Sequence, residues 1–186
     1  MRILLVLLIS AFLLAGCQTD GTKAPATEIM DAATLSKKIE ETRNQIYSEK
    51  DNKFDDKKAM EYIEYCQSYA KLVPQDTEAA KFLFQAAETA RSIKKYDQAM
   101  AIYDQIYTDF NSYPKAPQAL FLKAFTLDSE MQQYDKARVL YQEFIEKHPE
   151  DEFADDTKFL LKNLGKSDEE IIKQFEEQQA KMKKQG

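Results

Sequence analysis

An all-α fold is the expectation for this chain, and three observations carry it. Beyond Thr34 the only glycines are Gly165 and Gly186, and Pro74, Pro114, Pro117 and Pro149 all fall between runs of apolar periodicity. Within those runs apolar residues recur three and four positions apart, as a helix with one buried face requires. Alternating strand patterns are absent, while Ala, Glu, Lys, Gln and Leu, all good helix formers, abound.

The first element differs from the rest. Ile3 to Ala15 is apolar at every position except Ser10, follows the single positive side chain of Arg2, and ends in small residues. These 13 residues reach only about 20 Å as a helix, short of the roughly 30 Å of hydrocarbon a membrane span must cross. The segment 1–16 therefore reads as a cleaved secretory signal. Its end, Leu13-Leu14-Ala15-Gly16-Cys17, resembles the lipobox of bacterial lipoproteins. The resemblance implies cleavage after Gly16, a diacylglycerol on the Cys17 sulfur, and an acylated new N-terminus held on a membrane. Gln18, in place of Asp, implies the outer membrane under the enterobacterial sorting rule, with the chain facing the periplasm.

Residues 17–34 (CQTDGTKAPATEIMDAAT) carry Gly21, Pro25, small polar residues and no sustained period, and read as the lipidated terminus and a flexible linker. The helical domain is expected over 35–186, with helices near 35–49, 57–73, 77–93, 96–110, 117–130, 134–148, 154–164 and 168–182. Pro117 suits a first helical turn ahead of Leu120, Phe121, Ala124 and Leu127. Gly165 fits a C-terminal cap, and Ser167-Asp168-Glu169-Glu170 is a Ser-x-x-Glu capping box opening the helix that carries Ile171, Ile172 and Phe175. Cys66, in the apolar pattern of Tyr62, Ile63, Tyr65 and Tyr69, reads as a small core residue.

An internal repeat decides the architecture. Lys95-Tyr96-Asp97-Gln98-Ala99-Met100-Ala101-Ile102-Tyr103 matches Gln133-Tyr134-Asp135-Lys136-Ala137-Arg138-Val139-Leu140-Tyr141 at a constant offset of 38, which also relates Ala86 to Ala124. Alanine at a crossing point permits close helix approach, and aromatics four residues away fill the space beside it. Tyr134, Ala137, Tyr141 and Pro149, with Tyr96, Ala99 and Tyr103, resemble the tetratricopeptide repeat, a helix-turn-helix unit. Where that repeat usually carries glycine, two residues before the second helix's tyrosine, this chain has Lys94 and Gln132. The resemblance implies a tetratricopeptide-like solenoid of seven or eight helices, with its clearest repeats at 79–114 and 117–149 and a cap at 154–182 covering the open face. The stretch from Ala79 to Gly165 is also similar to periplasmic tetratricopeptide lipoproteins, among them BamD-type outer-membrane assembly factors and YbgF-type cell-division coordinators.

Catalytic chemistry finds few parts here. The formal net charge is −6, or about −7 once Arg2 is removed with the signal, which argues against nucleic-acid binding. The single histidine, His148, sits at a predicted helix end where it serves terminal carbonyls. The acidic pairs Asp55-Asp56, Asp155-Asp156 and Glu169-Glu170 point about 100° apart on a helix and suit helix starts better than a metal. No enzyme activity, cofactor or metal is expected. The resemblance implies instead a scaffold that holds a protein partner of the envelope in a groove lined by the first helix of each hairpin. Carried over to this chain, that groove would present Lys81, Phe84, Glu88 and Arg91, then Leu122, Thr126 and Ser129. An enzymatic or ligand-binding envelope lipoprotein is the alternative, with a site assembled from residues distant in sequence.

Overall fold

A computed structural model describes residues 30–48, 53–74 and 76–185. The signal segment, Cys17 and most of the linker lie outside them. The described chain is all-helical apart from one short ribbon, in the order α1 (Ala32–Arg43), β1 (Tyr47–Ser48), β2 (Lys53–Phe54), α2 (Asp56–Leu72), α3 (Thr77–Ser92), α4 (Tyr96–Asp109), α5 (Ala116–Phe125) continuing into a π-helical turn (Thr126–Glu130), α6 (Tyr134–Lys147), α7 (Ala154–Asn163) and α8 (Asp168–Gln185). From α1 to α7 each helix packs on the next, so the chain stacks as consecutive hairpins. Among the described residues no helix is long and apolar enough to cross a membrane.

Helix starts follow local chemistry. Asp31, Asp55 and Asp76 each accept a backbone N–H from the first turn of the helix they precede, at 2.7 to 3.0 Å, satisfying donors that a helix N-terminus leaves orphaned. The Asp31 cap puts Ala32–Thr34 inside α1, so the helical domain begins three residues earlier than the composition of 17–34 suggests. Pro117 stands in the first turn of α5. Ser167 and Glu170 close the capping box reciprocally: the Ser167 N–H donates to Glu170 Oε2 at 2.9 Å, and the Glu170 N–H to Ser167 Oγ at 3.3 Å.

Two elements depart from the sequence reading. The expected helix over 35–49 stops at Arg43, and Tyr47 pairs with Phe54 in an antiparallel ribbon. Ile46 is buried at the base of that ribbon, where its carbonyl accepts the Asp55 N–H at 2.8 Å. Packing Ile46 inward thus competes with continuing the helix and wins. The second departure is the π turn that ends α5, closed by Met131 N–H to the Thr126 carbonyl at 3.1 Å.

Alanines line the crossings. Ala79, Ala80, Ala86, Ala87, Ala90, Ala99, Ala119, Ala124 and Ala137 are buried, which lets large side chains meet beside them. Ile39, Tyr62, Ile63, Cys66, Phe82, Leu83, Tyr103 and Ile106 fill the core from α1 to α4, and Phe121, Leu127, Tyr141 and Phe144 fill it from α5 to α6, with Leu122 packed against both groups. Cys66 is a core residue, its thiol pushed up to about 12 by burial. α8 joins the stack through few groups: Phe175 stacks on Phe159 with ring centroids 6.1 Å apart, and Lys166 Nζ donates to Gln174 Oε1 at 3.0 Å. α7 therefore covers the end of the second repeat, while α8 only partly covers α7.

Candidate functional site

The two repeats end their first helices with the same backbone device. Lys94 and Gln132 both adopt the left-handed conformation, at φ 60° and 53°. After α3 the Lys95 N–H bonds to the Ala90 carbonyl at 2.8 Å and the Lys94 N–H to the Arg91 carbonyl at 3.0 Å, the pair of bonds that defines a Schellman cap. In the second unit the corresponding bond is one residue wider, from Gln133 N–H to the Leu127 carbonyl at 2.7 Å, because the π turn intervenes.

Each second helix then ties back to its first through a buried tyrosine. Tyr103 donates its hydroxyl to Glu88, and Tyr141 donates to Asp128 Oδ2 at 3.2 Å. Burial raises both phenols well above their ordinary range, and the adjacent carboxylates add to the effect. The carboxylate partners do not obey the repeat offset: Thr126 stands at the position of Glu88, and the π turn brings Asp128 to the tyrosine instead. Burial raises the Asp128 carboxyl above its usual range, and the Tyr141 hydrogen bond only partly offsets this.

An open hollow of about 360 Å³ lies on the α3 side of the stack, lined by Arg43, Ile46, Tyr62, Phe84, Gln85, Glu88, Thr89 and Lys115. Its floor is apolar. Phe84, 7% exposed, meets Tyr103 and Tyr113 edge-on at 6.3 Å, and Tyr62 is fixed by a hydrogen bond from its hydroxyl to Gln85 Oε1 at 3.0 Å. Cations stand on the rim. Lys115 Nζ sits 5.1 Å from the Phe84 ring centroid, and Arg43 pairs with Glu40. The hollow thus offers an apolar floor with the Lys115 ammonium at its rim and the Glu88 carboxylate, held by Tyr103, in its wall.

The seven groove residues expected from the sequence are distributed unevenly. Phe84 and Glu88 line the hollow. Lys81 is exposed one helical turn before Gln85, outside its lining. Arg91 reaches Glu88 at 3.6 Å and Glu130 at 4.0 Å, and Tyr96 donates to Glu130 at 3.0 Å, so Arg91 is engaged in joining the two repeats. Leu122 is spent between the two parts of the core. Thr126 does not belong to any groove: it is fully buried, and its hydroxyl bonds back to the Leu122 carbonyl at 2.7 Å. Widening of the helix into the π turn displaces the surface phase from there on. Ser129 is exposed and lines a separate cleft of about 600 Å³ with Phe125, Asp128, Tyr134, Phe159, Lys166 and Ile171 among its walls.

Sequence reasoning missed Arg43, Ile46, Tyr62, Gln85, Thr89 and Lys115. Gln85 was within reach, being one turn from Lys81 on the exposed strip of α3; Arg43 and Ile46 were hidden by the over-long first helix. His148 serves Tyr107, not helix-end carbonyls, with Nε2 3.2 Å from the phenol oxygen. Among the described residues no three His, Cys, Asp or Glu side chains gather to hold a metal ion.

Comparison with known families matches residues 118–151 to the tetratricopeptide repeat. The chain carries a tetratricopeptide repeat. The match spans most of α5, the π turn, α6 and the Pro149 turn, so the hairpin whose tyrosine bonds Asp128 is the matched unit, and α3–α4 repeats its Tyr-x-x-Ala-x-x-x-Tyr pattern and left-handed cap 38 residues earlier. No curated protein and no solved structure matches the chain. Tetratricopeptide repeats generally mediate protein–protein interactions.

Proposed function

We propose that the chain is a non-enzymatic, lipid-anchored scaffold of the bacterial cell envelope, fixed by acyl chains on Cys17 and holding a protein partner against its tetratricopeptide solenoid. The observation that carries the reading is the open hollow beside the repeats, with its Phe84 and Tyr62 floor and the Lys115 and Arg43 rim. A partner segment bearing an apolar anchor next to a carboxylate complements it. Apolar anchors in a pocket supply most of the affinity of such contacts, and rim charges set orientation and encounter rate. The lipobox-like Leu-Ala-Gly-Cys supports attachment to a membrane, and the resemblance to BamD-type and YbgF-type proteins supports a role in outer-membrane or cell-envelope assembly, facing the periplasm.

The test is crosslinking in intact cells followed by membrane fractionation and mass spectrometry, comparing the native chain with Cys17→Ala and with Arg43→Glu/Lys115→Glu. Release from the membrane on Cys17→Ala, with loss of a reproducible envelope partner on the rim reversal, is the expected result. Membrane retention without Cys17 overturns the anchor. A partner set indifferent to the rim reversal overturns the hollow as the docking site.

A further inference from the structure

We propose that α8 is a self-association helix, two copies of the chain pairing antiparallel along Ile172, Phe175, Gln179 and Met182. Ile172, Phe175 and Met182 are 56%, 48% and 64% exposed, beside Phe159 at 42%, so an apolar strip runs along α8 and onto α7, in which Phe175 and Phe159 stack on each other and stay half-exposed while Ile172 and Met182 stand open. Their spacing of three, four and three residues is that of a heptad seam with one polar member at Gln179. The helix has 18 residues, about 27 Å, enough for two heptads. Ile171, Gln174 and Phe175 carry the contact of α8 with α7, so Ile172, Gln179 and Met182 are not needed to dock α8 on its own stack.

Charge selects the occupant and the orientation. The start of α8 is acidic, with Asp168, Glu169 and Glu170, and its end is basic, with Lys181 and Lys183. Antiparallel pairing that puts Ile172 opposite Met182 and Phe175 opposite Gln179 brings Glu169 beside Lys183 of the second copy at both ends of the seam, against a single like-charge approach of Glu176 to its own copy at the two-fold axis. Parallel pairing would set like against like at both ends. An anionic membrane surface suits the helix poorly, because interfacial helices carry basic polar faces and this one mixes both signs on a chain of net charge −6. The two-fold arrangement closes, consuming the strip on both copies.

The test is sedimentation of the full chain in a mild detergent over a concentration series. The native chain is expected to form a dimer, and Ile172→Glu to raise the dimer Kd by at least about tenfold while leaving the melting temperature of the stack unchanged. Glu169→Lys is expected to weaken the dimer, and adding Lys183→Glu to the same chain to restore it, since the facing charges are then exchanged. A monomer at every concentration, a dimer indifferent to Ile172→Glu, or a double charge swap that fails to restore pairing would each overturn the proposal. So would α8 engaging only a different protein while the chain itself stays monomeric.

Discussion

Replacing Lys94 and Gln132 by glycine is expected to stabilise the fold. Both residues sit in the left-handed region, at φ 60° and 53°, where a Cβ crowds the following carbonyl at roughly 1–2 kcal/mol. Glycine removes that cost but gives back about 0.5–1 kcal/mol through the freedom it adds to the unfolded chain. The net gain is about 0.5–1 kcal/mol at each site. Neither side chain hydrogen-bonds or ion-pairs with a described residue, and the two turns share no bonded group, so the gains should add to about 1–2 kcal/mol. For a chain of this length each kcal/mol moves the melting temperature by about 2–4 °C, which makes the double variant roughly 2–8 °C more stable. Thermal and urea melts of the native chain, Lys94→Gly, Gln132→Gly and the double variant measure this. Lys94→Ala and Gln132→Ala are the controls, because alanine keeps the Cβ and should change little. Glycine variants that melt no higher than the alanine controls would refute the reasoning, since the strain it removes would then not be present.

Three further outcomes rest on the bonds between and within hairpins. Tyr103→Phe strips Glu88 of its phenol donor and is expected to cost about 1.5 kcal/mol, the low end for a bond to a charged acceptor, read as a shift in urea midpoint. Asp128 holds its proton more tightly folded than unfolded, so its contribution is greatest below the ordinary carboxylate value of 3.8 and falls as pH rises through the raised folded value. Asp128→Asn should therefore remove a loss of stability with rising pH; urea midpoints taken across that range should show the variant gaining on the native chain as pH rises, and the opposite slope would mean the Tyr141 bond outweighs burial. Gly165→Ala is expected to cost a net of about 0.5–1 kcal/mol, the left-handed strain at φ 76° less the freedom alanine removes from the unfolded chain, since the added Cβ would meet the Tyr134 ring at an ordinary 3.5 Å.

Repeating and punctuating residues were the legible part of the sequence. The offset of 38 exposed the paired hairpins, and Pro117, Gly165 and the Ser167–Glu170 box marked ends that the structure places where the residues say. The end of the first helix at Arg43 was not legible, because Ile46 and Tyr47 continue the apolar spacing of Leu35 and Ile39 with no glycine or proline to interrupt it. Only the tertiary burial of Ile46 ends the helix, and no local signal records that. The hollow was lost with it, since Arg43 and Ile46 reach it from the end of that helix.

The π turn explains the other miss and gives the two repeats different surfaces. A constant offset predicts that Thr126 does what Glu88 does, yet Thr126 is buried and the carboxylate comes from Asp128. The wide turn, with its Thr126 and Ser129 hydroxyls bonded back to carbonyls four residues earlier, rotates the end of the helix without changing the length of the unit. Length conserves the stack and phase sets the face. So the first repeat turns Phe84 and Gln85 toward a cation-rimmed hollow, while the second turns Asp128 and Ser129 toward the cleft beside α7 and α8. Two copies of one sequence pattern thereby acquire separate surfaces, and a partner at the hollow and a second copy at α8 would not compete for the same residues.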